Sequence, residues 1–232
     1  MPILQTHGVS VRYGDVRALT DVSLSVQEGH VHGVIGPNGA GKSTMMNVLS
    51  GAQRASQGRV MFDGHDITSR AVRWRRRHGI SRSFQRTSIF PGMTVREQLA
   101  LASRDDTVQM RLVAGAFGLS GLLDRQADTL AYGDQRRVDI ALAAVGKSRL
   151  LLLDEPAAGL TAQETADLFG HVCALAREEG LTALIVEHDV EAVFGSCDVV
   201  TVLDLGEVLT SGAPDAVRTD PDVIKAYLGT AG

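Results

Sequence analysis

The stretch that most constrains this chain is Gly36-Pro37-Asn38-Gly39-Ala40-Gly41-Lys42-Ser43-Thr44. It follows the apolar run Val31-His32-Gly33-Val34-Ile35 and leads into Met45-Met46-Asn47-Val48-Leu49. That order reads as a strand, a glycine loop and a helix start. Glycines let a backbone wrap closely enough for its N–H groups to converge on a polyphosphate. A helix N-terminus adds partial positive charge where the anion sits. In such a loop Lys42 reaches the terminal phosphates and the Ser43 hydroxyl binds Mg²⁺. A structural glycine turn is the alternative, and the flanking strand and helix favour the phosphate cradle.

The 232 residues suffice for one large domain or two small lobes, and 44% of them are hydrophobic, enough for a sizeable core. A net charge of -4 argues against bulk nucleic-acid binding and leaves a local basic patch open. Aromatics make up only 4%, so few side chains are available as base-stacking platforms. Cys173 and Cys197 stand alone in apolar-rich stretches; they suit neither a zinc site nor a disulfide scaffold and point to a reduced compartment. No apolar run approaches the roughly 18–20 residues of a membrane span, and the N-terminus has no signal-peptide pattern. Work at a membrane would therefore be as a peripheral subunit.

In chain order, Ile3 to Val11 reads as a strand and Val22 to Val26 alternates as a half-buried strand does. Gly58 to Phe62 and His65 to Thr68 flank Asp63-Gly64, a hairpin signal. Ser69 to His78 is an expected helix with Arg70, Arg73, Arg75, Arg76 and Arg77. It reads as a solvated face or a dock for an acidic partner, with a nucleic-acid or phospholipid patch as the alternative. Ile80 to Phe84 is a short strand. Thr94-Val95-Arg96-Glu97 and Thr161-Ala162-Gln163-Glu164 have capping-box spacing and open helices to about Ser103 and Glu179. Residues 105–128 carry no strand signal. Arg136 to Val145 is amphipathic, Arg149 to Leu153 and Thr182 to Val186 read as buried parallel strands, and Val190 to Ser196 as a helix. Val199 to Leu203 and Glu207 to Thr210 surround a turn, and Asp220-Pro221 opens a terminal helix. The expectation is an α/β chain with a mostly parallel core sheet, an N-terminal antiparallel β part and an inserted helical lobe. It forms one domain, with residues 1–90 and 130–232 as the core and 91–129 as the helical subdomain.

Four constellations accompany the loop. Asp154 and Glu155 close the Leu150–Leu153 strand, where ligands bind in open α/β sheets. Asp154 can deliver negative charge to the Mg²⁺ held by Ser43, and Glu155 can orient or deprotonate an attacking water. His188 follows another buried strand; packing or capping is its ordinary role, and a hydrogen bond to a terminal phosphate is the functional one. Gln85 ends a strand and can bind Mg²⁺ or water through its carbonyl oxygen. Ala131-Tyr132-Gly133-Asp134-Gln135 places a glycine at a helix start, free to bind an anion held by another subunit. Tyr13, on an early turn, is either a strand aromatic or a stacking surface for a base.

Taken together, Tyr13, Gly36–Thr44, Gln85, Leu130–Gln135, Leu150–Glu155 and His188 resemble, in order and spacing, the motifs of the ATP-binding-cassette ATPases. In that family these are the A-loop aromatic, Walker A, the Q-loop, the signature motif, Walker B with its catalytic glutamate, and the H-loop. The resemblance spans nearly the whole chain and implies a P-loop ATPase fold that hydrolyses ATP with Mg²⁺. It implies Lys42, Glu155 and His188 as catalytic residues, and Ser43, Gln85 and Asp154 at the metal. It implies Tyr13, Gly36, Pro37, Asn38, Gly39, Ala40, Gly41, Lys42, Ser43, Thr44, Gln85, Ala131, Gly133 and Gln135 on nucleotide. Leu-Ala-Tyr-Gly-Asp-Gln-Arg-Arg at 130–137, Asp-Glu-Pro-Ala-Ala-Gly-Leu at 154–160 and Pro-Asp-Val-Ile-Lys-Ala-Tyr-Leu-Gly at 221–229 are similar to the LivG-type ATPases of branched-chain amino acid importers. That type implies a second ATPase in a head-to-tail dimer, two transmembrane permease subunits, a periplasmic binding protein and no nucleic acid, with the ATPases at the cytoplasmic membrane face. Exporter or lipid-transport ATPases are the alternative. Cassettes that act on DNA or ribosomes are less similar, because this chain has no long coiled coil between the Walker motifs and no tandem cassette. Two positions depart from the family pattern: Ala131 stands where many cassettes have Ser, and Thr161 where many have Asp.

Overall fold

The computed structural model describes every residue except 84–86, 105, 147 and 229–232. Two long strands, β1 (Pro2–Tyr13) and β2 (Val16–Gln27), open the chain and pair antiparallel. β2 starts six residues before the expected strand. A positive φ of 52° at Asp21 and register shifts in β1 interrupt the alternation that would have marked it. β3 (Val31–Ile35) is wholly buried and delivers the glycine loop, which α1 (Lys42–Ser50) follows. β4 (Gln57–Phe62) and β5 (His65–Asp66) form the expected hairpin, giving an antiparallel sheet of order β2-β1-β4-β5. Asp63 and Gly64 both take positive φ, 50° and 72°, as a two-residue hairpin turn of this hand needs.

α2 (Val72–Arg77) and β6 (Ile80–Ser83) lead into a helical stretch with α3 (Val95–Ser103), α4 (Thr107–Ala116) and two 3₁₀ turns. α5 (Tyr132–Ala144), β7 (Leu150–Asp154), α6 (Ala162–Glu179), β8 (Thr182–Val186), α7 (Val190–Ser196) and β9 (Val199–Asp204) alternate as the sequence implies. β10 (Glu207–Gly212), α8 (Pro214–Arg218) and α9 (Pro221–Leu228) complete the described chain. The second sheet runs β10-β9-β3-β8-β7-β6, parallel from β9 to β6, with β10 antiparallel at its edge. Both capping boxes form, at Thr94 with Glu97 and at Thr161 with Glu164.

α1 packs between the two sheets. Its Met45, Met46, Val48 and Leu49 share one core with Leu4, Val22 and Phe62 of the antiparallel sheet and with Leu150, Leu152 and Leu184 of the parallel one. The opposite face of the parallel sheet, with Leu151, Leu153 and Ile185, packs on α3 through α7. The four leucines of β7 thus divide two and two between the cores, as period-two alternation dictates. Val95, Leu99, Met110 and Val113 of the helical stretch belong to this second core.

The arginine run departs from a purely solvated face. Arg75 is 1% exposed, and its guanidinium donates to the carbonyls of Val48, Leu49 and Ile67, each at 2.8 Å. Two of those carbonyls lie in the last turn of α1, where backbone oxygens lack helical partners. Burial pushes the Arg75 guanidinium down to about 10, and it remains a cation set against the negative helix end. Arg76 donates to the Ser81 hydroxyl and, at 3.0 Å, to the Ala143 carbonyl. Arg70, Arg73, Arg76 and Arg77 remain exposed, so Arg75 is the arginine of the run that leaves the solvated face.

Candidate functional site

Gly36 leaves β3 with φ 155°, and a Cβ there would stand 2.1 Å from the Leu203 carbonyl oxygen. Gly41, the N-cap of α1, has φ 100°, and a Cβ there would meet the Ala18 carbonyl oxygen at 2.6 Å. Neither position tolerates a side chain, so the loop path is written by glycine. Gly41 supplies no side-chain cap, which leaves the first amides of α1 for an anion. Lys42 is 6% exposed; its Nζ donates to the carbonyls of Gly36 at 2.6 Å and Pro37 at 2.9 Å. An ammonium has three donors, and the third remains for a ligand. Burial lowers the Lys42 pKa, and Glu155 and Asp154 oppose that shift, so both carboxylates lie within electrostatic reach of the ammonium.

Asn38 through Thr44, Val16 to Ala18, Glu155 and His188 surround a cavity of about 280 Å³. Gly36 and Pro37 contribute by holding Lys42 rather than by lining it. The Glu155 carboxylate and His188 Nε2 are 2.6 Å apart. A larger groove of about 360 Å³ lies between α1, β6 and α5, but it has no glycine loop and no helix start to receive phosphate.

Arg136 and Glu187, which the sequence reading did not single out, hold the Glu155 segment together with Tyr132. Glu155 itself has a positive φ of 48°, a conformation that a non-glycine residue keeps only when its surroundings impose it. Arg136 of α5, 0% exposed, donates from Nε to the Pro156 carbonyl at 2.8 Å and from Nη2 to the Glu155 carbonyl at 3.1 Å. Glu187 accepts from the Ala157 amide at 2.6 Å and the His188 amide at 3.0 Å. It thereby joins the segment after Glu155 to His188. Burial raises the Glu187 pKa, and the two amide hydrogen bonds oppose that rise. Tyr132 adds a hydroxyl bond to the Ala158 carbonyl at 3.1 Å. An arginine in the 130–137 stretch and a carboxylate beside His188 were the available sequence signals. Their partners are backbone groups twenty to thirty residues away, which no local pattern encodes.

Asp154, at the end of β7, pairs with Arg82 Nη2 at 2.7 Å. Mg²⁺ takes oxygen donors and usually only one or two carboxylates from protein. The Ser43 hydroxyl and the Asp154 carboxylate are such donors. Among the described residues no three of His, Cys, Asp and Glu cluster into a metal cage of their own. Gln85 lies outside the described residues. Tyr13 is half exposed and does not line the loop cavity.

Ala131 and Gly133 border a separate cavity of about 120 Å³ with Glu164 and His171. Ala131 caps α5 without a side-chain bond. A Cβ on Gly133 would come 2.6 Å from Glu164 Oε1, so a side chain there would displace the Glu164 carboxylate on α6. Gln135 turns its amide to the Leu130 carbonyl at 2.9 Å.

A strand, glycine loop and helix cradle, faced by carboxylates at the carboxyl ends of parallel strands, defines a P-loop ATPase. The family model described as ABC transporter matches residues 19–158, and that described as branched-chain amino acid ATP-binding cassette transporter matches residues 207–232. The chain is 37% identical to the high-affinity branched-chain amino acid transport ATP-binding protein BraF of Pseudomonas aeruginosa, over 99% of both chains. It is 34% identical to the corresponding LivG of Escherichia coli K12, again over 99% of both. A crystal structure of a nucleotide-free ATP-binding cassette from an ABC transporter superposes with a TM-score of 0.87 at 31% identity, over 98% of this chain and 99% of that one. A cassette in its ADP conformation gives 0.88 at 32% identity, over 99% of each. The chain belongs to the ABC transporter family. No helix among the described residues is long and apolar enough to cross a membrane.

Proposed function

We propose that this chain is the ATP-hydrolysing subunit of an ABC importer for branched-chain amino acids. The observation that carries the reading is the full-length similarity to BraF and LivG together with the branched-chain cassette match at residues 207–232. ATP sits on the amides of the Gly36–Thr44 loop with Lys42 at its terminal phosphates, and Tyr13 meets the base. Ser43 and Asp154, with Gln85, hold Mg²⁺, which when bound neutralises phosphate charge. Glu155 orients and deprotonates the attacking water, and His188, 2.6 Å from it, supports that carboxylate and the terminal phosphate. Catalysis is then mostly positioning and charge stabilisation.

The Ala131–Gln135 turn opens on a cavity apart from the loop cavity. That separation supports a head-to-tail pair in which this turn covers the partner's nucleotide. With Ala131 lacking a hydroxyl, the Gly133 amide and the start of α5 make that contact. The pair works beneath two permease subunits at the cytoplasmic membrane face, fed by a binding protein outside. Residues 91–129 form the helical subdomain that meets the permease, with Gln85 relaying nucleotide state to it. Purification of the intact complex tests the reading. Binding protein loaded with leucine, isoleucine or valine is expected to stimulate its ATPase; stimulation by an unrelated solute alone, or co-purification without any membrane subunit, would contradict it.

A further inference from the structure

Arg82 lies on β6, outside the loop cavity and outside every motif of the sequence. Its side chain is 10% exposed and spans from β6 to two other elements. Nη2 donates to Asp154 Oδ2 at 2.7 Å, at the end of β7. Nη1 donates to Asn47 Oδ1 at 2.7 Å and to the Ser50 hydroxyl at 3.1 Å, both on α1. One planar guanidinium therefore ties the Asp154 carboxylate to the helix whose first turn carries Ser43. An arginine fork fixes direction as well as charge, which a lysine point charge does not. The Asp154 side chain is itself only 13% exposed, so water screens this pair weakly.

We propose that Arg82 is a positioning residue for the Mg²⁺ site. It occupies Asp154 Oδ2, leaves Oδ1 for the ion or its water shell, and holds that carboxylate in register with the Ser43 hydroxyl. The carboxylate's rotamer freedom is removed before the ion arrives, so binding does not have to remove it. Partners of this kind around a metal ligand typically change affinity about 10- to 100-fold when lost. The inference rests on the reading of Asp154 and Ser43 as metal-holding residues. The opposing idea is that Arg82 competes with the ion for Asp154, which predicts the opposite sign.

The test uses Mn²⁺ as a probe for Mg²⁺, titrated into the ADP-bound full-length chain and followed by electron paramagnetic resonance of free Mn²⁺. Arg82→Met is expected to weaken Mn²⁺ about 10-fold, with Arg82→Lys intermediate and ADP affinity in EDTA unchanged. On an Asp154→Asn background, Arg82→Met is expected to add no further loss. Unchanged or tighter Mn²⁺ binding in Arg82→Met overturns the proposal. So does an equal loss of ADP affinity in EDTA, or a further loss on the Asp154→Asn background, since either marks a general structural role. If Arg82→Met does not fold, Asn47→Ala removes one anchor of the guanidinium while keeping the ion pair. It is expected to give a smaller loss of the same sign, and no loss overturns the proposal. If Asp154→Asn alone leaves Mn²⁺ affinity intact, the metal role of Asp154 falls and that of Arg82 with it. If Asp154→Asn weakens Mn²⁺ and Arg82→Met does not, only the role of Arg82 falls.

Discussion

Arg136 illustrates how far the chemistry depends on a side chain that reaches no ligand. It is fully buried, pairs with Asp139 at 3.1 Å, and holds the carbonyls on either side of the Glu155–Pro156 bond. Removing one member of a buried pair leaves the other charge without its counter-ion, a change that costs about 3–5 kcal/mol. Arg136→Met is therefore expected to lose roughly that much stability in urea unfolding, and a loss under about 1 kcal/mol would contradict the bonding described. Lys42, Ser43, Glu155 and His188 were legible in the sequence because a motif or a strand end announces each. Arg82, Arg136 and Glu187 were not, because each earns its place through groups that only the fold brings near.

Among the elements, β3 combines the route to the phosphate loop with a buried titratable group. His32 lies within it, with Nε2 2.8 Å from the Thr201 hydroxyl, and burial pushes its pKa from 6.5 to about 4, with His30 adding to the shift. Above pH 6.5 the ring is neutral in folded and unfolded chains alike, and its contribution to stability is fully present. As the pH falls from 6.5 towards 4, the unfolded chain takes up a proton that the folded chain refuses, so stability drops. Across the whole window the loss is roughly 3 kcal/mol. Wild type minus His32→Gln, measured by urea unfolding at successive pH values, is expected to show a stability difference that moves against wild type as the pH falls through this window. A difference that stays flat would contradict a buried neutral His32. Helices and strands at this scale were largely readable: both capping boxes and the parallel strands formed where local chemistry placed them. The early part of β2 and the five-residue α8 were not, because bulges at Asp21 and Gly8 break alternation and five residues are too few to show helical period. In the helix with the arginine run, Arg75 alone departs from the solvated-face reading. Charge in sequence does not reveal which guanidinium will be buried against the carbonyls that end α1.

At the scale of the molecule, α1 between two sheets makes the phosphate loop rigid from both sides, with the Thr20 amide bonded to the Gly206 carbonyl at 2.8 Å and the Gly206 amide to the Ala40 carbonyl at 3.1 Å. The loop cavity and the α5 turn lie apart in one chain, which supports the proposed head-to-tail pair. The central claim is that the loop binds ATP and that Glu155 turns binding into hydrolysis. Glu155→Gln keeps shape and removes the base. In the assembled transporter it is expected to bind ATP within about threefold of wild type while turnover falls by about 100-fold or more, the scale of a lost general base. Near-normal turnover with intact ATP binding would contradict the account.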